Sequence, residues 1–140
     1  MRIVFAGLAL MLAACGGPAT SLTVDEATYR APLTEKGAGV AYFSITSSTA
    51  DRIIGLTSPQ ADRVEMHNSV TSADGMASMV RLDSVDLPAG ETVTFGPGGL
   101  HVMVFAPQLI ESGATFPIQI ELESGRNETI SFAQALGAGR

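Results

Sequence analysis

Short runs of alternating apolar and polar residues, separated by turn-forming residues, recur along most of this chain. In the clearest run, Thr115–Glu123, every second residue from Phe116 to Leu122 is a large apolar one, and the residues between them are mostly polar. A period of two is typical of a β-strand with one buried face, and a spacing of roughly 8–12 residues between runs is typical of a sandwich or barrel. No window keeps a helical period over about ten residues. The pattern predicts an antiparallel, all-β domain.

Nine runs are predicted to be strands. They are Leu22–Arg30, Val40–Thr46, Arg52–Ser58, Arg63–Val70, Met76–Val85, Glu91–Phe95, Leu100–Ala106, Thr115–Glu123 and Glu128–Phe132. Gly- and Pro-containing segments such as Pro97-Gly98-Gly99 lie between them, as expected of connecting turns. The chain has 140 residues, which is the length of one domain, and it contains no internal repeat. That domain is predicted to span residues 22–136.

The first fourteen residues have the pattern of an export signal. Arg2 precedes an apolar run from Ile3 to Leu12, and two alanines then precede Cys15, the only cysteine of the chain. A charged start, a short apolar stretch and small residues before a cleavage point are typical of a signal peptide. The run is shorter than the ~20 residues that span a bilayer. Leu12-Ala13-Ala14-Cys15 resembles the lipobox of bacterial lipoprotein precursors, and a plain secretory signal with an incidental cysteine is the alternative.

The resemblance to a lipobox implies that residues 1–14 are removed, that the thiol of Cys15 carries a lipid, and that residues 15–21 form a tether. Arg2 is the one charged residue removed, so the formal charge changes from −6 to −7. An acidic chain lacks the basic field that binds nucleic acid. A single cysteine also excludes an internal disulfide and a cysteine-based zinc cluster. The expected location is the periplasmic side of a bacterial membrane, or the periplasm itself if no lipid is attached.

Two histidines and four methionines remain after removal of the leader, and all six lie between positions 66 and 103. Alternate residues of a strand point to opposite faces of the sheet. This rule predicts that Met66 and Met76 are buried in the core. The other four are predicted to lie on faces that do not look like core; they are His67, Met79, His101 and Met103.

These four side chains suit a soft metal ion. Imidazoles and thioethers are neutral ligands, and thioethers bind Zn²⁺ and Ca²⁺ poorly but suit Cu(I). Such a set would bind monovalent copper without releasing protons near neutral pH, and an exposed site would give the ion up readily to a partner. Outward histidines are also common as plain surface residues, and outward methionines as contacts with loops. Strand parity alone leaves both interpretations open.

The four residues follow a defined spacing. Met79 follows His67 by twelve residues, twenty-one residues separate Met79 from His101, and Met103 completes a His-x-Met motif. This pattern resembles the signature of the PCu(A)C family of periplasmic copper chaperones over residues 22–132. Flanking segments that also resemble the family are Ala50-Asp51-Arg52, Val64-Glu65-Met66-His67, Asp74-Gly75-Met76-Ala77-Ser78-Met79, Leu87-Pro88-Ala89-Gly90-Glu91-Thr92 and Pro97-Gly98-Gly99-Leu100-His101-Val102-Met103.

The resemblance implies a cupredoxin-like Greek-key β-sandwich with one Cu(I) per chain, held by these four residues. It implies an extracytoplasmic chaperone, not an enzyme, that delivers copper to a partner such as the dinuclear centre of cytochrome c oxidase or its assembly factor. Many members carry a Met- and His-rich C-terminal tail, whereas Ala133–Arg140 contains neither residue. Two departures leave the ligands in place: Asn68 stands where some members have Met, and Tyr29 lies near the position of a family Trp.

Two other classes of function remain open. One is a periplasmic copper storage or tolerance protein that uses the same ligands. The other is a β-sandwich lipoprotein that binds a protein partner and no metal. A hydrolase is disfavoured because Asp83, Asp86 and Glu91 are scattered around strand ends. We expect a monomer that meets the membrane through its lipid alone. We also expect His101 and Met103 to lie outside the core, so that their replacement leaves the fold intact.

Overall fold

The computed structural model describes residues 19–34 and 36–135. The predicted leader, the predicted lipidation site Cys15 and residue 136 lie outside the described residues. The described part is built from strands and turns, which confirms the predicted all-β class. In these ranges no helix has the length and apolar character needed to cross a bilayer.

Ten strands make up the described part of the chain. In order they are β1 (Leu22–Arg30), β2 (Ala38–Ser47), β3 (Asp51–Thr57), β4 (Arg63–Thr71), β5 (Ala77–Leu82), β6 (Val85–Leu87), β7 (Thr92–Phe95), β8 (Leu100–Phe105), β9 (Thr115–Leu122) and β10 (Asn127–Gln134). Eight of the nine predicted strands are present with ends that move by two residues at most.

The single strand predicted over Met76–Val85 is wrong. β5 pairs with β4, but the chain bends at Asp83 and continues as β6, which pairs with β3 instead. Leu82 and Val85 both pack against the core although they are three residues apart. A spacing of three cannot be kept by one regular strand with one buried face, because its period is two.

The strands form one hydrogen-bonded path in the order β5-β4-β8-β2-β1-β10-β9-β3-β6, and β7 pairs with β2 beside it. Neighbours are antiparallel except for β1 and β10, which are parallel at Thr28–Ala133. The path curls around a single core, so that both ends of the path, β5 and β6, are edges. The order is non-sequential, as a sandwich with crossovers between its layers requires.

The core consists of the inward faces of these strands. Phe43 stacks on Phe95 with ring centroids 4.5 Å apart and meets Phe132 edge-on at 5.6 Å, and Tyr29 stacks on Phe116 at 4.3 Å. Burial of apolar surface is the dominant favourable contribution to folding, and aromatic rings bury a large area each. The predicted inward face of β9 is confirmed, since the four alternate residues Phe116, Ile118, Ile120 and Leu122 are all buried, and so is the predicted core position of Met66.

Candidate metal centre

His67 and His101 lie directly opposite each other on neighbouring strands. The register of β4 and β8 pairs the two residues, and their ring centroids are 5.9 Å apart with a tilt of 34°. Side chains at opposite positions of an antiparallel pair share one face. Two imidazoles that share one metal ion at about 2.0–2.1 Å have centroids roughly 5–6 Å apart. The pair is therefore spaced for a common ion.

Met79 reaches His101 from the edge strand β5. Its Sδ atom lies 3.2 Å from Nε2 of His101, while Nδ1 of the same ring lies 2.9 Å from the carbonyl oxygen of Gly99. A carbonyl oxygen only accepts hydrogen bonds, so Nδ1 carries a proton, and in the neutral form of the ring Nε2 then has the lone pair. A thioether has no proton to donate. Two lone pairs thus converge, which is the arrangement that a bound cation would bridge.

The acceptor for His101 is supplied by the turn that precedes β8. The amide of Gly96 donates to the Leu100 carbonyl at 2.7 Å, and Gly98 has a φ of +80°. This φ lies in the left-handed region, which glycine adopts without a steric penalty. The turn places the Gly99 carbonyl two residues before His101, where the ring can donate to it.

His67 is held in a similar way by Glu65. Nε2 of His67 lies 2.9 Å from Oε2 of Glu65, and Nε of Arg63 donates to Oε1 at 2.6 Å. The hydrogen bond from His67 lowers the pKa of Glu65, and so do the bond and charge of Arg63 and the charge of Arg81, against the opposing effect of burial. An ionised carboxylate only accepts, so Nε2 carries the proton. Nδ1 of His67 is buried and has no hydrogen-bond partner among the described residues.

Each histidine thus donates one ring N–H to a fixed acceptor and keeps a lone pair on the other nitrogen. Metal-ligating histidines almost always have this arrangement, with a carboxylate or a backbone carbonyl as the acceptor. A buried polar atom without a partner costs about 1–3 kcal/mol. The buried Nδ1 of His67 and the Nε2 of His101 therefore fit a metal ion.

Met103 completes the predicted set by its position in the sheet. It lies two residues beyond His101 on the same face of β8, opposite Glu65 of β4 and Val40 of β2, and it is half-buried. The four predicted residues therefore lie on one face of three adjacent strands, with His67, Met79 and His101 in a contiguous group. In residues 19–34 and 36–135, no group of three or more His, Cys, Asp or Glu side chains is placed to hold a metal ion.

Two predictions about exposure are wrong. Met76 was expected in the core but is 68% exposed, because β5 begins only at Ala77 and Met76 lies in the turn before this edge strand. His101 was expected to lie outside the core but is 6% exposed, because its ring lies against Met79, the Gly99 carbonyl and His67. Strand parity identifies the face of a residue, but not what covers that face.

Glu65 is the functional candidate that the sequence reasoning missed. The signal was present, since a residue two positions before His67 shares its strand face. A carboxylate at that spacing is within reach of the imidazole, and the structure places the two in contact.

The sequence matches a family model over residues 22–133, and the family is described as "Putative lipoprotein LpqE-like". A relative from Leifsonia xyli subsp. xyli (strain CTCB07), described as "Putative lipoprotein Lxx21020", is 24% identical over 87 residues. The match covers 61% of this chain and 52% of the relative. The chain therefore spans about half the length of this curated relative.

Solved structures of PCuAC domains have the same fold. The "Copper-bound PCuAC domain from PmoF2" has a TM-score of 0.66 and 24% identity, with 83% of this chain and 93% of that chain covered. The apo solution structure of DR1885 from Deinococcus radiodurans has a TM-score of 0.61 and 26% identity, with 100% and 96% covered. Its CuI form has a TM-score of 0.58 and 23% identity, with 85% and 78% covered. The predicted cupredoxin-like fold class is confirmed.

Proposed function

This chain belongs to the LpqE-like lipoprotein family and has the fold of PCuAC domains, and from this we propose that it is a copper chaperone that binds Cu(I) outside the cytoplasm. The observation that carries the proposal is the convergence of Nε2 of His101 and Sδ of Met79 at 3.2 Å, with the other nitrogen of the ring bonded to the Gly99 carbonyl. The copper-bound PmoF2 domain and CuI-DR1885 support the choice of metal.

The ligands of one Cu(I) would be Nδ1 of His67, Nε2 of His101 and the sulfur atoms of Met79 and Met103. All four are neutral, so the ion keeps its single positive charge and releases no ligand proton at neutral pH. Thioether sulfur favours the soft monovalent ion over harder divalent ions. The matched proteins are described as lipoproteins and copper-binding domains, not as enzymes, and capture of an ion requires no nucleophile or general base.

Release of the ion would begin at Met79. This residue is 59% exposed and lies on an edge strand, whereas His101 is 6% exposed. A soft ligand of an acceptor protein can reach the exposed sulfur first and replace it while the histidines still hold the copper. The proposed transfer is therefore a stepwise ligand exchange that needs no unfolding of the domain.

An anaerobic titration with Cu(I) in the presence of a competing chelator tests this function. The chain would carry Cys15→Ser, so that no thiol competes for the ion. We expect one equivalent of Cu(I) to be retained per chain. Retention of none would exclude the chaperone and would favour a β-sandwich that binds a protein partner without a metal.

Met79→Leu is expected to weaken Cu(I) retention by about tenfold or more, because leucine fills a similar volume but has no sulfur to bind the ion. Met76→Leu is the matched control, since Met76 is also exposed, at 68% against 59% for Met79, and lies in the turn of the same hairpin before β5 begins. The chelator competition described above measures both variants. An equal loss in the two variants would contradict the assignment of Met79.

The acceptor is proposed to be a copper protein of the respiratory chain, such as the dinuclear copper centre of cytochrome c oxidase or its assembly factor. Deletion of the gene should then lower the amount of assembled oxidase at limiting copper. If deletion instead lowers the tolerance of cells to excess copper and leaves the oxidase unchanged, the same site serves storage or detoxification.

Cys15 is proposed to anchor the protein to the periplasmic side of a membrane through a lipid. Membership of a lipoprotein family supports this location. We expect Cys15→Ser to move the protein from the membrane fraction to the soluble periplasmic fraction, because the lipid can no longer be attached. Fractionation of cells that express the two forms measures the change, and an unchanged distribution would show that Cys15 is not the anchor.

A further inference from the structure

We infer that Glu65 is the positioning residue of this site. Its carboxylate holds the His67 ring in the orientation and the tautomer that present Nδ1, not Nε2, to the metal. That a metal binds at this site rests on the proposed function. The orientation of the ring and the place of its proton are properties of the metal-free protein and can be tested without copper.

The two oxygens of the Glu65 carboxylate have separate partners. Oε2 accepts from Nε2 of His67 at 2.9 Å, and Oε1 accepts from Nε of Arg63 at 2.6 Å, with Nε of Arg81 at 3.7 Å. The arginines engage Oε1, which leaves Oε2 directed at the imidazole. Glu65 and His67 are also shielded from water, with 11% and 15% of their side chains exposed, so solvent competes little for this hydrogen bond.

Arg63 is itself held in place. Its guanidinium lies 4.1 Å from the centroid of the Phe105 ring, and that ring lies 6.4 Å from the centroid of the His67 ring. Guanidinium groups over aromatic faces are favourable contacts that restrict the arginine side chain. The ring of Phe105 therefore contacts Arg63, Arg63 binds the Glu65 carboxylate, and that carboxylate binds His67.

The hydrogen bond to Glu65 determines which nitrogen of His67 can bind the metal. A half-turn about the Cβ–Cγ bond exchanges Nδ1 with Cδ2 and Nε2 with Cε1, and either nitrogen of a neutral ring can carry the proton, so an unrestrained His67 could offer either nitrogen. With Nε2–H bonded to Glu65, Nδ1 alone has a lone pair, and it is the buried nitrogen without a partner in the described part of the chain. His101 presents the opposite nitrogen, Nε2, because the Gly99 carbonyl takes its Nδ1–H.

Nitrogen-15 and proton NMR of the full chain with labelled histidines tests the inference. In the metal-free protein we expect the Nε2–H proton of His67 to be protected from exchange with water, and Glu65→Ala to abolish that protection. After addition of Cu(I), we expect the resonance of Nδ1 of His67 to shift in the wild type. In Glu65→Ala we expect a mixture of Nδ1 and Nε2 coordination and a loss of Cu(I) affinity of about 10–100-fold.

Two further variants separate positioning from simple stability. Glu65→Gln keeps an oxygen that accepts from Nε2–H, so it should restore Nδ1 coordination and most of the affinity. Arg126 and Glu128 form a matched Arg-x-Glu pair on another part of the sheet, with Nη2 and Oε1 2.8 Å apart, so Glu128→Ala should leave the His67 resonances and Cu(I) affinity unchanged.

The inference is overturned if Glu65→Ala keeps the protected Nε2–H signal, or if it still binds Cu(I) through Nδ1 of His67 alone with wild-type affinity. Failure of the proposed function gives a different result. In that case the wild type retains no Cu(I), while the metal-free spectra still report whether Glu65 holds the His67 ring.

Discussion

His101→Ala is expected to abolish retention of Cu(I), with an affinity at least about 100-fold weaker than that of the wild type. The loss of a ligand should exceed the 10–100-fold effects typical of residues that only orient ligands. His101 is the residue that links the site, because its Nε2 meets the sulfur of Met79 and its ring lies opposite His67. Chelator competition under anaerobic conditions measures the change.

The His101 ring is buried, so the variant also needs a measurement of folding. Far-ultraviolet circular dichroism and thermal unfolding of His101→Ala show whether the β-sandwich persists. Met103→Leu provides a second variant on the same strand face, since the exchange of Met for Leu keeps the volume and usually costs less than ~1.5 kcal/mol. It should keep the fold and still lose affinity for Cu(I). Wild-type affinity in both variants would contradict the proposed ligand set.

Phe43→Ala is expected to lower the free energy of unfolding by about 3–5 kcal/mol. Phe43 lies on β2 at the centre of the core, where it stacks on Phe95 at 4.5 Å and meets Phe132 edge-on at 5.6 Å. Removal of the ring leaves a cavity that the rigid strands around it cannot close. Single domains have a total stability of only about 5–15 kcal/mol, so this loss is a large part of the whole.

Denaturant unfolding followed by circular dichroism measures this loss. Phe43→Leu is the matched control, because leucine fills part of the space and should cost less than alanine. Tyr42→Ala, one residue earlier on β2 and on the other face of the strand, should change stability much less, since Tyr42 is only partly buried. A cost below about 1 kcal/mol for Phe43→Ala would contradict the described core.

Strand parity was sufficient for the parts of the fold in which one face is buried along the whole strand. The apolar residues of β9 and the position of Met66 follow from the period of two, and the structure confirms them. Parity failed for Met76, because the hairpin of β4 and β5 extends to the edge of the sheet, where β5 is exposed from Ala77 to Arg81. The sequence pattern also missed the division between β5 and β6. These two strands pair with different partners at opposite ends of the strand path, and such long-range pairing is not encoded in the local alternation of residues.

The candidate site was predicted as a set of residues, but its internal geometry was not. Parity predicted that His67, Met79, His101 and Met103 lie outside the core, and the resemblance to the PCu(A)C signature implied that they bind one metal ion. The register of the sheet places all four on one face. The burial of His101 depends on a contact with Met79 that crosses β4, which no local pattern encodes. The role of Glu65 depends on which nitrogen of each ring carries a proton, and that follows only from the acceptors placed around the rings.

Copper K-edge X-ray absorption of the Cu(I)-loaded chain carrying Cys15→Ser tests the central claim most directly, because it counts the sulfur and nitrogen neighbours of the metal. The account predicts two nitrogen and two sulfur neighbours in the wild-type site and the loss of one sulfur neighbour in Met79→Leu. A shell of nitrogen and oxygen atoms without sulfur would contradict it.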